Sequence, residues 1–139
     1  MTDCPFCQIA SDSAHGSVLV RGNVAVAFLD IRPIRPGHAI VVPIRHEADF
    51  LSLRQDEHLE MLSIAKQIGA AQYKLFQPMK IGLLVAGFDV PHAHLHVVPM
   101  NEYHDLTSSA LLNGTLKRSS DQDLAAIQLA ITEVFHLRN

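Results

Sequence analysis

The sequence predicts an α+β fold: about five strands in a mainly antiparallel sheet, with one long helix and one C-terminal helix. Three observations carry this. Short β-branched runs are separated by Gly, Pro and Asn turns, a central stretch keeps a helical apolar period over about six turns, and a second amphipathic stretch closes the chain. A length of 139 residues without repeat, linker or low-complexity tract implies a single domain over 1–139.

The elements follow in order. Cys4-Pro-Phe-Cys7-Gln-Ile9 suits a short turn or helix. Ser17 to Arg21 and Val24 to Leu29 are apolar and β-branched around an Arg-Gly-Asn turn, the pattern of a hairpin. Asp30 to Gly37 holds two prolines and a glycine and reads as a loop, and His38 to Pro43 as a third strand. From Arg54 to Phe76, Leu59, Leu62, Ala65, Ile68, Ala71 or Gln72, and Leu75 mark one apolar stripe of a helix ended by Pro78. Lys80 to Ala86 and Ala93 to Val98 read as further strands, and 101 to 118 as polar and irregular. Ser120 caps a helix over about 121–137, whose apolar face is Leu124, Ile127, Ile131, Val134 and Phe135.

Composition excludes several classes. Apolar residues make up 48% and charged residues 18%, and no apolar run approaches the ~20 residues of a membrane span. A net charge of −3 without a basic block speaks against nucleic acid as a partner. The opening Met1-Thr-Asp-Cys4-Pro5 has neither a basic nor an apolar signal region, which points to the cytoplasm.

Histidine is conspicuous, with nine residues against two Tyr and no Trp. In His92-Ala-His94-Leu-His96-Val-Val-Pro99, strand alternation puts three imidazoles on one face, successive members about 6.5 to 7 Å apart, and Ala93, Leu95 and Val97 on the other. The apolar side can be buried while the histidine side opens to a cleft. An imidazole is mostly neutral near pH 7 and carries a nucleophilic nitrogen, so such a row suits attack on phosphorus. Two histidines at i and i+2 can also chelate zinc with help from elsewhere, which keeps a metal hydrolase open.

The His92 to Val98 segment resembles the histidine triad (HIT) superfamily of nucleotide hydrolases and transferases, whose motif alternates histidine and apolar residues in this way. The resemblance extends over Ala27 to Pro43, with Asp30 and His38 at the family's spacing, and to Cys4 to Ile9, so it covers residues 4–100. It implies a HIT-like fold and a hydrolase or phosphoramidase acting at the α-phosphate of a nucleoside monophosphate conjugate. His94 would be the nucleophile and form a nucleotidyl-histidine, with His96 and His38 close to the phosphate. Asp30 would take the ribose hydroxyls, although a turn aspartate is the plainer reading. Phe6, Ile9, Phe28, Leu29 and Ile31 would line the pocket of a purine base, or serve simply as core. Arg32 and Arg35 are candidates for steering phosphate, or plain surface residues. The resemblance also implies a homodimer joined sheet edge to sheet edge.

Some members of the superfamily bind zinc through an N-terminal Cys-x-x-Cys, a histidine after the third strand and the first triad histidine. Cys4, Cys7, His46 and His92 match, and two thiolates with two imidazoles form a closed structural set. Two small buried thiols are the plainer alternative.

The chain also departs from the family. Gly87-Phe88 replaces a Gly-Gln whose glutamine reaches the phosphates, and Asp89 stands where some relatives carry a serine. A carboxylate there repels a polyphosphate unless it is protonated or paired. The departures favour an AMP conjugate with a modest leaving group, such as an amine phosphoramidate. The alternatives are a dinucleoside polyphosphate hydrolase, or a nucleotide-binding regulator with little catalysis.

Overall fold

A computed structural model describes residues 3–11, 16–110 and 115–137. Five strands form one sheet in the order β1-β2-β3-β5-β4, with every pair antiparallel. They are β1 (Val18–Arg21), β2 (Ala25–Leu29), β3 (Ala39–Pro43), β4 (Lys80–Leu84) and β5 (Leu95–Met100). The helices are α1 (Pro5–Ala10), α2 (Gln55–Phe76), α3 (His104–Thr107) and α4 (Asp121–Leu137). The predicted class, α+β, is the one observed.

β2 and β3 are buried along their whole length because both faces of the sheet are covered. One face carries the main core, in which Ala25, Ala27, Leu29, Val41, Leu95 and Val97 pack against Met61, Ile64, Ile68 and Ala71 of α2 and Ile131 and Val134 of α4. On the other face Val26, Phe28, Ile40 and Val42 meet only Ala10, Phe6, Ile9 and Val18. A helix of six residues cannot cover that face, and a cavity remains beside it.

Three expectations need correction. Leu59 and Leu62 are exposed, at 62% and 50%, while Met61 and Ile64 fill the core. The helix is apolar on two sides, and a 3.6-residue period alone does not decide which side the sheet takes. The fifth strand begins at Leu95 rather than Ala93, because the segment after Pro91 leaves the ladder and the Ala93 amide donates to the Glu47 carbonyl instead. Within the polar 101–118 stretch, α3 forms where the Asp105 carboxylate accepts from the Asn101 and Glu102 amides.

The helix starts match the sequence reading in part. Ser120 Oγ accepts from the Asp123 amide at the start of α4, as expected for a cap. At α2 it is Glu57 that accepts from the Arg54 amide while pairing with Arg45 at 2.9 Å. Burial pushes the Glu57 carboxyl up, but Arg45 and the Arg54 amide outweigh it and hold the group below its usual range. No helix among the described residues is long and apolar enough to cross a membrane.

Candidate active site

The histidine row divides into two environments. His92 and His94 precede β5 and His96 lies within it, opposite Ile40 of β3, so the row faces α1. The side expected to open to a cleft is mostly covered: His38 and His92 are fully buried, His94 is 2% exposed, and His96 is partly accessible. Phe6 of α1 lies against His92 and His94, its ring centre 5.0 Å from that of His94 in an edge-on contact.

His92 turns toward the cysteines. Its Nε2–H donates to the Pro43 carbonyl at 2.8 Å, which leaves the Nδ1 lone pair 3.4 Å from both Cys4 Sγ and Cys7 Sγ. His46 Nδ1 lies 3.1 Å from Cys7 Sγ, and the four ligand atoms are all within 4.8 Å of one another. Zinc at ordinary bond lengths separates tetrahedral S and N ligands by roughly 3.5 Å, so the donor set fits zinc. Burial, then the adjacent Cys4 thiol, raises the Cys7 thiol above its usual range.

His94 has the opposite arrangement. Its Nδ1–H donates to the His92 carbonyl at 2.8 Å, which fixes the tautomer and leaves the Nε2 lone pair free. Nε2 is 3.7 Å from Asp89 Oδ1.

His38 and His96 form a relay. The Ile34 amide donates to His38 Nδ1 at 3.1 Å, so the proton of a neutral His38 is on Nε2. Nε2 lies 2.9 Å from His96 Nδ1 and donates to it, which places the His96 proton on its own Nε2. Burial first, then the neighbouring imidazole, lowers His38 to about 3 and His96 to about 4, so both rings are neutral near pH 7. Asp30 Oδ2 approaches His38 Nε2 at 3.5 Å, while Oδ1 accepts from the Arg32 amide. The turn reading of Asp30 therefore holds alongside any ligand role. Burial raises its carboxyl to about 6, with a further upward push from Asp89.

These groups border a cavity of about 720 Å³. Phe6, Ile9, Phe28, Leu29, Asp30, Ile31, Asp89, His94 and His96 all line it, whereas His38 stands behind His96 and does not. Leu29 also belongs to the main core, and the Ile31 side chain is 48% exposed. Arg35 is committed to Asp105 at 2.7 Å and lies outside the cavity lining, so it does not serve to steer phosphate there. Arg32 lines the cavity and holds the Leu116 carbonyl. The groups of potential metal ligands among the described residues are Cys4, Cys7, His46 and His92, and Asp30, His38 and His96; neither includes His94, so no two triad histidines share one.

Part of the wall had no signal in the sequence. The Ser119 amide donates to the Ile31 carbonyl at 2.7 Å, and Arg118, Asp121 and Leu124 close that side of the cavity. No local motif marks them, because only the packing of the C-terminal segment on the Ile31 loop brings them there.

The chain matches the HIT domain family over residues 12–103. It is 36% identical to an uncharacterized HIT-like protein of Saccharolobus solfataricus over 69% of this chain and 73% of that one. It is 32% identical to an adenosine 5'-monophosphoramidase of Schizosaccharomyces pombe over 74% of this chain and 79% of that one. Among solved structures it resembles a zinc-bound histidine triad family protein from Mycobacterium smegmatis, with a TM-score of 0.75, 23% identity and 98% coverage of each chain.

Proposed function

The chain belongs to the HIT domain family, and on that premise we propose that it hydrolyses nucleoside monophosphate conjugates at the α-phosphate through His94. One observation carries the reading: His94 Nδ1–H is held by the His92 carbonyl, so the free Nε2 lone pair points to a cavity whose walls suit a nucleotide. The phosphoramidase named among the relatives supports the substrate class. Phe6, Ile9, Phe28 and Ile31 offer apolar walls to a purine, and Asp30 offers acceptors to the ribose hydroxyls.

The reaction divides into two displacements. In the first, Nε2 bonds to phosphorus and the bond to the leaving group breaks, with its electron pair going to the departing atom, which takes a proton from solvent. In the second, water attacks phosphorus, the P–Nε2 bond breaks with its pair returning to nitrogen, and the water proton is released. His96 Nε2–H donates to a non-bridging oxygen throughout, which stabilises the charge that grows there. His38 acts through His96.

Asp89, 3.7 Å from the attacking nitrogen, disfavours highly charged leaving groups, and the neutral imidazoles do not offset them. This favours an AMP phosphoramidate over a dinucleoside polyphosphate. Cys4, Cys7, His46 and His92 would hold a zinc that buttresses the segment bearing His94 and takes no part in the chemistry. A homodimer belongs to the same reading. β4 is an edge strand, and exposed Leu83 borders an apolar groove with Leu62 and Tyr73, a surface that pairing would cover; sedimentation at twice the chain mass tests it.

Mass spectrometry of protein mixed with an adenosine phosphoramidate tests the chemistry. AMP release with a transient AMP adduct on His94 is expected. Absence of both across several leaving groups overturns the reading.

A further inference from the structure

We propose that Gln72 is a positioning residue for the His38–His96 relay: from the opposite face of the sheet, its buried amide ties the backbone beside one imidazole to the backbone beside the other. This rests on the reading above, in which His96 presents its Nε2–H to substrate.

Gln72 is fully buried on α2, within the stripe of Ile64, Ile68 and Ala71 that packs the main core. An apolar residue is what that position calls for. The side chain instead donates from Nε2 to the Gly37 carbonyl at 2.9 Å and to the Val97 carbonyl at 3.0 Å. Gly37 precedes His38 and Val97 follows His96. One planar amide therefore spans the two chain segments whose rings meet at 2.9 Å on the other side of the sheet.

Two further features show a constraint beyond core filling. Gln72 Oε1 is buried and has no hydrogen-bond partner among the described residues, a cost that a purely structural core position would shed by carrying Leu or Met. Gly37 also needs an external hold. It stands two residues before β3, at φ +91°, where a side chain would run into the Phe76 ring; the strand pairing ends at Ala39 with one further bond from the Asp30 amide to the His38 carbonyl, and it is Gln72 that holds the Gly37 carbonyl. If Gly37 moves, the 30–38 loop carries His38 with it. The Nε2–H to Nδ1 bond then lengthens, and His96 is free to place its proton on Nδ1, away from the cavity.

The tests are Gln72→Met and Gln72→Leu, which keep the volume but remove both donors together with the orphaned acceptor. With an adenosine phosphoramidate, kcat is expected to fall about tenfold to a hundredfold. KM is expected to stay within threefold, because the base and ribose walls do not touch Gln72. In parallel, NMR of protein labelled with ¹⁵N-histidine reads the His38 Nε2–H signal, which should exchange at least tenfold faster in the variants. A folded variant whose kcat and ring-proton exchange both stay within twofold of the parent overturns the proposal. So does failure of both variants to fold, which would make Gln72 a stability residue only. If the parent protein turns over no substrate, the hydrolase reading fails, while the ring-proton exchange still decides the role of Gln72.

Discussion

The two faces of the sheet contrast in how they are closed. The face under α2 and α4 is filled by apolar side chains contributed by two long helices. The face under α1 receives one short helix, and the space left over is lined by imidazoles, carboxylates and aromatic rings. Stability and chemistry are thereby separated by the thickness of one sheet. Gln72 reaches from the first side to the backbone that supports the second. The contrast teaches why the site can hold unfavourably buried polar groups: the other face supplies the burial that offsets them.

This contrast can be broken by substitution. His94→Ala should reduce kcat by roughly 10³-fold or more while the melting temperature barely moves, since the ring contributes to chemistry rather than to the main core. A melting temperature that falls along with activity would show that the two faces are not separable. Cys4→Ser should release one bound zinc and cost several kcal/mol, read by elemental analysis and denaturant unfolding; an unchanged metal content would leave the thiol pair as core. Met61→Ala, on the opposite face, should destabilise by about 2–5 kcal/mol and leave KM unchanged.

A smaller effect concerns pH. His38 and His96 have folded values of about 3 and about 4, below the ~6.5 of an unfolded histidine, so acid protonates the unfolded chain first. Their stability contribution is present above pH ~6.5 and is lost as pH falls toward their folded values. Asp30 runs the other way. Raised to about 6, it takes up a proton in the folded state before the unfolded carboxyl does, near ~3.9, and cancels about one of the two protons. Near pH 5 these three groups together should contribute a slope of about 1.4 kcal/mol per pH unit, with stability rising as pH rises. Unfolding of His38→Gln across pH 4 to 7 should show a slope shallower than the parent's by about 1.4 kcal/mol per pH unit near pH 5.

Much of the site was legible because the spacing that matters is local. Three histidines two apart, Asp30 eight residues before His38, and cysteines three apart each fall within one short stretch of chain. The class of fold was legible too, since short β-branched runs and two amphipathic stretches permit few arrangements. The phase of α2 was not, because Leu59 and Leu62 are as apolar as Met61 and Ile64 and only the sheet chooses between them. Arg35 read as a cation available to phosphate, and a carboxylate 70 residues away claims it.

From the sequence alone it followed that imidazoles share one side of a chain segment, that apolar residues back them, and that two thiols lie three residues apart. The assignment of those imidazoles was decided only by tertiary structure. His92 is turned by the Pro43 carbonyl, His94 by the His92 carbonyl, and His96 by His38, so that one ring faces sulfur, one offers a lone pair and one offers a proton. The physical reason is that a neutral imidazole is symmetric in its choice of tautomer until a neighbour donates or accepts, and the neighbours of His92 and His96 come from segments about 50 residues away in the chain.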